Sequence, residues 1–452
     1  MYRAALAHLQ DWLESQPRKP LVLRGARQVG KTWLARELAR SSGKQLIELN
    51  FERFPQLKTL FDSNDPTHIL NNISAQQNLE IIPTQSLLFL DEIQVAPEVF
   101  ATLRWFAEDM PELAIIAAGS LLEFMLSQPS FSMPVGRISY FYIEPLSFEE
   151  FLLAQGLKPS LQFIQQYTWG LEVPLMIHQQ LMMEFKKYIL IGGLPAAVST
   201  WSQTQNIIRV QNLQHDLLTT YRDDFNKYSG KLSLTRLDEV LMQTPRLLGQ
   251  KFKYSHVNAD VQSTAIKAAL TLLTQARLCY PIYHCAANGL PLGAEIDIKT
   301  FKVILLDVGL ISIALGLSLQ QIDVIHDLNL INKGAIAEQV VGQLLRVIEV
   351  PYIHPDLYYW QRDKKGSAAE IDYIIQHENR IIPIEVKSGT AGSLKSLHLF
   401  MQLKQLSQAL RINSDIPSRV QVNTHLTSAI SYQLCSIPFY LLGQIHRLLR
   451  SA

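Results

Sequence analysis

Leu21-Val-Leu-Arg-Gly-Ala-Arg-Gln-Val-Gly-Lys-Thr32 reads as an apolar strand, a turn spelling Gly25-x-x-x-x-Gly30-Lys31-Thr32, and a helix beginning near Trp33. A strand before and a helix after is the setting in which this spacing makes a phosphate-binding loop. The two glycines let the backbone curl so that several N–H groups point inward, and the following helix adds its positive end. Lys31 is long enough to reach β- and γ-phosphates, and the Thr32 hydroxyl suits Mg²⁺. The expected nucleotide-binding set is therefore Gly25, Ala26, Arg27, Gln28, Val29, Gly30, Lys31, Thr32 and Trp33.

Outward from this loop, Ala5, Leu6, Leu9 and Leu13 fall at helical spacing and predict a leading amphipathic helix. Short apolar runs at 21–24, 45–51, 86–90, 113–118 and 138–143 alternate with helical segments. That alternation predicts an α/β domain with a largely parallel sheet. The third run, Ser86-Leu-Leu-Phe-Leu-Asp91-Glu92, is an apolar strand ending in two acids. Asp91 there suits Mg²⁺, and Glu92 suits polarising an attacking water. The fourth run ends in Gly119-Ser120, and Ser147 with Glu150 forms a capping box that predicts a helix start.

With the loop, the Asp-Glu strand, Gly119-Ser-Leu-Leu-Glu-Phe124, Pro134-Val-Gly-Arg137 and Glu144-Pro-Leu-Ser-Phe-Glu-Glu-Phe151, the chain resembles the AAA family of bacterial and archaeal ATPases. The resemblance implies strand order 5-1-4-3-2, a γ-phosphate-sensing role for Ser120, and bound ATP with Mg²⁺. Arg137 is the arginine it offers for charge stabilisation, in cis or across an oligomer interface, set against a plain surface arginine. Arg24 and Arg27 flank the loop, as phosphate contacts or as solvated charges. Ile191-Gly-Gly-Leu-Pro195 and Tyr221-Arg-Asp-Asp-Phe225 also fit the family, where they belong to a helical lid; Arg222 is read as an interhelical ion pair, with approach to the nucleotide from the lid as the alternative.

Beyond the lid, helices at 234–248 and 263–278 followed by strands near 278–284 and 302–306 suggest a winged helix. Lys251, Lys253, Lys267 and Arg277 are its candidate DNA-phosphate contacts, and Asp307 reads as a strand end or helix cap. In the last third, Glu338 lies on a helix, Asp372 on a strand, and Glu385-Val-Lys387 on the next. The period of two puts Glu385 and Lys387 on one strand face. This pattern resembles the restriction-endonuclease-like fold, which implies Mg²⁺ at Glu338, Asp372 and Glu385 with Lys387 orienting water. An inactive or binding-only domain is the competing reading. The resulting division is 1–155 P-loop core, 156–230 lid, 231–320 winged-helix-like, and 321–452 endonuclease-like.

Composition narrows the function classes. Of 452 residues, 41 are Lys or Arg and 40 are Asp or Glu, so net charge points to no nucleic-acid or membrane partner. No run approaches the length of a spanning helix, and the start of the chain lacks a signal-peptide pattern. Cys279, Cys285 and Cys435 lack metal or redox spacing, which suits reduced thiols in a cytoplasmic protein. The expected function is Mg²⁺-dependent ATP hydrolysis coupled to the C-terminal domains, acting on duplex DNA or a protein partner. Two alternatives stand beside it: an ATP-regulated DNA nuclease, and a non-hydrolysing, nucleotide-switched binding protein.

Overall fold

A computed structural model describes residues 2–120, 122–126, 134–228, 233–317, 333–363, 368–389, 393–424 and 430–450. The leading helix is present as Ala5–Glu14. Five strands follow: β1 (Leu21–Arg24), β2 (Gln45–Asn50), β3 (Ser86–Asp91), β4 (Ala114–Ala118) and β5 (Ser139–Tyr142). They form a wholly parallel sheet in the order β2-β3-β4-β1-β5, which is the expected 5-1-4-3-2 read from the other edge. Every residue of β3 and β4 is buried, so these strands read as continuous apolar runs rather than alternating ones. Their side chains still divide by the period of two. Leu87, Phe89, Ala114 and Ile116 enter one core, while Leu88, Leu90, Ile115 and Ala117 enter the other.

The first of these cores does not stop at the domain edge. It continues through the helices Leu175–Ile191, Pro195–Thr204 and Ile207–Tyr228 into the C-terminal half. The capping box at Ser147 is formed in both directions and starts the helix Phe148–Ala154.

The remaining strands are β6 (Cys279–Cys285), β7 (Ile296–Leu305), β8 (Leu357–Arg362), β9 (Ala369–His377), β10 (Arg380–Val386), β11 (Gln408–Asn413), β12 (Ser418–Thr424) and β13 (Ile430–Pro438). Helices Leu234–Gln243 and Ser263–Gln275 and the β6–β7 hairpin appear in the order expected of a winged helix. The hairpin is not a free wing. β6 pairs in parallel with β8, Tyr283 opposite Tyr358, so one eight-stranded sheet, β12-β13-β11-β10-β9-β8-β6-β7, crosses the expected boundary at 320/321. Edge pairing of β6 satisfies a row of backbone groups that a separate wing would leave to solvent. Arg277 is correspondingly not a surface residue. It is buried, whereas Lys253 and Lys267 are exposed.

Asp307 confirms its reading as a helix cap and does more. It caps Val308–Ala314 through Gly309 N (2.9 Å) and also accepts from Gly193 N (2.6 Å) and Gln343 Nε2 (3.0 Å). Burial pushes its carboxyl up to about 6. The pair Gly192-Gly193 exists for this contact: Gly192 has φ 75° and ψ −170°, and a Cβ there would lie 1.9 Å from Asp307 Oδ1. Only glycine adopts that backbone region readily. Gly192→Ala should cost about 3 kcal/mol or more by combining strain with a broken buried network. A melting temperature within one degree of wild type would refute that packing argument.

Cys279, Cys285 and Cys435 are free and buried. Among the described residues no helix is long and apolar enough to cross a membrane. Of the residues singled out in the sequence, Leu121, Asn332, 318–332 and part of the turn after Arg362 lie outside the described residues.

Candidate nucleotide site and C-terminal acid cluster

Parallel pairing aligns three strand ends on one edge of the first sheet. Leu23 and Asp91 both stand opposite Ala118, so the loop after β1, the acids after β3 and Gly119-Ser120 after β4 converge there. The carboxyl edge of a parallel sheet is where such folds bind ligands. Gly25 is required by close approach, since a Cβ would lie 2.4 Å from Ile143 O. Gly30 is required by conformation, at φ 97°, and the helix Lys31–Ser42 starts directly after it. Gln28 is also left-handed (φ 65°), Ala26 and Val29 are buried, and Trp33 is exposed on the first turn.

Lys31 donates to Gly25 O (2.9 Å) and Ala26 O (2.7 Å), which curls it over its own loop. Burial lowers its ammonium to about 8, against the opposing pull of Glu92 and Asp91. Thr32 Oγ1 lies 3.4 Å from Asp91 Oδ2, and Asn50 Nδ2 holds the same oxygen at 3.2 Å. Burial, then Glu92 and Glu48, raise Asp91 to about 6. A hydroxyl beside a carboxylate is the hard oxygen pair that Mg²⁺ takes, so this donor set fits the metal. Glu92 occupies a left-handed backbone position (φ 52°), and its Oε2 accepts from Gln94 Nε2 (2.6 Å) and faces Ser120 Oγ (3.4 Å). Gln94 gets that close because position 119 is glycine, where a Cβ would lie 2.0 Å from Gln94 Oε1.

The arginines sort differently from their sequence positions. Arg27 binds Asp224 (2.6 Å to Oδ1), and Tyr221 Oη donates to Arg27 O (3.0 Å), so the helix Ile207–Tyr228 is tied directly to the loop. Arg222 makes the expected interhelical pair, with Asp238 at 2.6 Å. Arg24 binds Glu123 at 2.7 Å. Arg137 is half-exposed and bound to Glu108 at 2.6 Å. Arg3 was passed over in the sequence, yet it is buried and donates to Val29 O (2.8 Å), Glu144 O (2.7 Å) and Glu150 Oε1 (3.1 Å). Arg277, expected to face DNA, instead binds Glu123 (3.1 Å), approaches Glu144 (3.7 Å) and lies over the Tyr142 ring. Its charge is one of those lowering Lys31. Its signal was faint: a single basic residue at a helix end.

The C-terminal acids also converge. Asp372 accepts from Val386 N (2.7 Å), and Lys387 Nζ binds Glu385 Oε1 (2.5 Å), as the shared strand face required. Burial, then Glu338 and Glu385, push Asp372 well above the usual carboxylate range. An unexpected residue completes the cluster. Lys302 of β7 is almost fully buried and binds Glu338 (3.0 Å) and Glu370 (2.5 Å). Among the described residues no three His, Cys, Asp or Glu side chains are grouped to hold a metal. The divalent metal implied by the endonuclease resemblance therefore does not fit this cluster as it is built.

Comparison with known proteins agrees with the geometry of the first sheet. Residues 17–152 match the model of a family described as an AAA domain. The first domain is an AAA-type P-loop domain. Residues 182–321 and 333–438 match two domains of unknown function, DUF8612 and DUF4143. Among solved structures, a Walker-type ATPase of Pyrococcus abyssi is 15% identical, with 69% of this chain and 95% of that chain covered and a TM-score of 0.44. A signal-transduction ATPase of the STAND type, with a tetratricopeptide-repeat sensor, from Pyrococcus horikoshii is 12% identical (77% and 47% covered, TM-score 0.28). A RuvB mutant from Thermotoga maritima is 15% identical (62% and 89% covered, TM-score 0.27). No curated protein matches the chain.

Proposed function

We propose that this protein binds ATP with Mg²⁺ at the edge of its first sheet and hydrolyses it. The observation that carries this reading is the convergence of Thr32 with Asp91 and of Ser120 with Glu92 beside the Gly25–Thr32 loop. Loop N–H groups and Lys31 hold the β- and γ-phosphates, and Lys31 exchanges two loop carbonyls for phosphate oxygens as it does so. Thr32 and Asp91 hold Mg²⁺, which neutralises charge developing on the transferred phosphoryl group. Glu92 accepts the proton of the attacking water, and Ser120 keeps that carboxylate turned toward the phosphate. Gly25, Ala26, Arg27, Gln28, Val29, Gly30 and Trp33 shape the cradle.

The lid makes nucleotide state legible elsewhere. Tyr221 and Asp224 both hold Arg27 inside the loop, so a rearrangement of the loop on phosphate binding pulls on the long helix. That tether equally suits a nucleotide-switched binding protein that turns over little ATP. A second copy would bring Arg137, already on the surface, toward a neighbour's phosphates. Turnover measured with and without duplex DNA distinguishes a DNA-responsive enzyme, reading DNA through Lys253 and Lys267, from one that answers to a protein partner.

Lys31→Ala tests the site itself. The account expects at least a ~100-fold loss of ATP affinity, since a charge-assisted phosphate contact and the centre of the loop go together. Thermal stabilisation by Mg²⁺-ATP should vanish with it. Unchanged ATP stabilisation in the folded variant would place nucleotide binding elsewhere or nowhere.

A further inference from the structure

Four acids, Glu338, Glu370, Asp372 and Glu385, stand on one side of the eight-stranded sheet, contributed by the helix Lys333–Val347, β9 and β10, with Glu338 and Glu370 sharing one lysine. Carboxylates brought this close need a cation. The chain supplies two. Lys387 pairs with Glu385 at 2.5 Å, and Lys302 pairs with Glu338 at 3.0 Å and Glu370 at 2.5 Å. Lys387 keeps about a quarter of its side chain exposed, whereas the Lys302 side chain is 2% exposed. A lysine this buried is held by its acids and cannot swing away to solvent without leaving them unpaired. Glu385 Oε2, also buried, has no hydrogen-bond partner among the described residues and points to remaining capacity for a positive ligand.

We propose that Lys302 is the resident cation of this cluster: its ammonium replaces the divalent metal that the acid pattern implies, and the domain consequently cleaves no phosphodiester. The lysine arrives from outside the acid pattern. It sits on β7, whose hairpin is added to the C-terminal strands by the β6–β8 pairing. The same contact therefore closes the metal position and fastens the middle region to the C-terminal one. Taking the ammonium away leaves Glu338, Glu370, Asp372 and Glu385 as a set of oxygen donors of the kind a hard divalent cation accepts.

The test uses Mn²⁺ as the probe, followed by electron paramagnetic resonance without nucleotide, in full-length protein carrying Asp91→Asn to remove the acid of the ATP site. That protein should bind no Mn²⁺ in the micromolar range. Adding Lys302→Met should create one Mn²⁺ site at least ~10-fold tighter, and millimolar Mn²⁺ should raise its melting temperature by about 2–4 °C. A folded Lys302→Met protein that gains neither would overturn the proposal. So would Mn²⁺ binding by the Asp91→Asn protein that Asp372→Asn abolishes, a result that stands even if Lys302→Met fails to fold. Failure here leaves the ATP site untouched, since the two clusters share no residue.

Discussion

Glu92→Gln should lower ATP turnover about 100- to 10,000-fold while leaving ATP affinity within a few-fold of wild type. The amide keeps the shape of the side chain and a partner for Gln94 or Ser120, but it cannot accept the proton of the attacking water. Among the described residues, the Glu92 carboxylate bonds to Gln94 and faces Ser120, and to no atom of the loop. Binding and chemistry should therefore separate cleanly at this residue, in contrast to Lys31. Parallel losses in affinity and turnover would mean that Glu92 shapes the pocket rather than serving the reaction.

Glu144→Ala should be among the most damaging single changes in the chain. Glu144 follows β5, is buried, binds the fully buried Arg346 and lies 3.7 Å from Arg277. Arg346 in turn stacks on Tyr280 with its guanidinium carbon 3.1 Å from the ring centroid. One carboxylate thus serves two guanidiniums from the C-terminal half, and its removal leaves both charges buried without it. Breaking such a pair from one side costs about 3–5 kcal/mol. Removing Glu144 and Arg346 together should cost less than their separate costs summed, the non-additivity that marks a direct pair. A thermal melt of Glu144→Ala matching wild type would show that the contact contributes nothing.

The readable parts of this protein were those whose chemistry lies within one short stretch. Gly25 to Thr32 carries its own turn, charge and helix start, and Asp91-Glu92 ends an apolar run, so the site edge followed, while the strand order came from the family resemblance. Glu385 and Lys387 lie two apart at the end of β10, Lys387 just past its last residue, and their contact needed only the pleat carried one residue further. Residues whose partners come from distant segments were not readable. Arg277 looked like one more basic residue on a surface helix, because Glu123 and Glu144 are far away in sequence. Lys302 drew no reading of its own, although a lone lysine in a strand as apolar as Phe301-Lys-Val-Ile-Leu-Leu306 is itself a sign of a buried partner. The wing misled for the same reason: a hairpin pattern fixes its own two strands and says nothing about which third strand lies beside it.

The tether at Arg27 gives the nucleotide site a route to the rest of the molecule. The loop is bonded to the helix Ile207–Tyr228 through Arg27, to the leading segment through Arg3, and its neighbour Arg24 meets Glu123, which also holds Arg277. These bonds link the loop to the junction between the first sheet and the eight-stranded sheet.

The central claim is that the first sheet edge hydrolyses ATP. Phosphate release from saturating ATP by the full-length protein, with Mg²⁺ and with Mg²⁺ chelated, tests it most directly. The account predicts steady release that requires Mg²⁺. Tight ATP binding with no release above the chelated control would contradict it and leave a nucleotide-switched binding protein in its place.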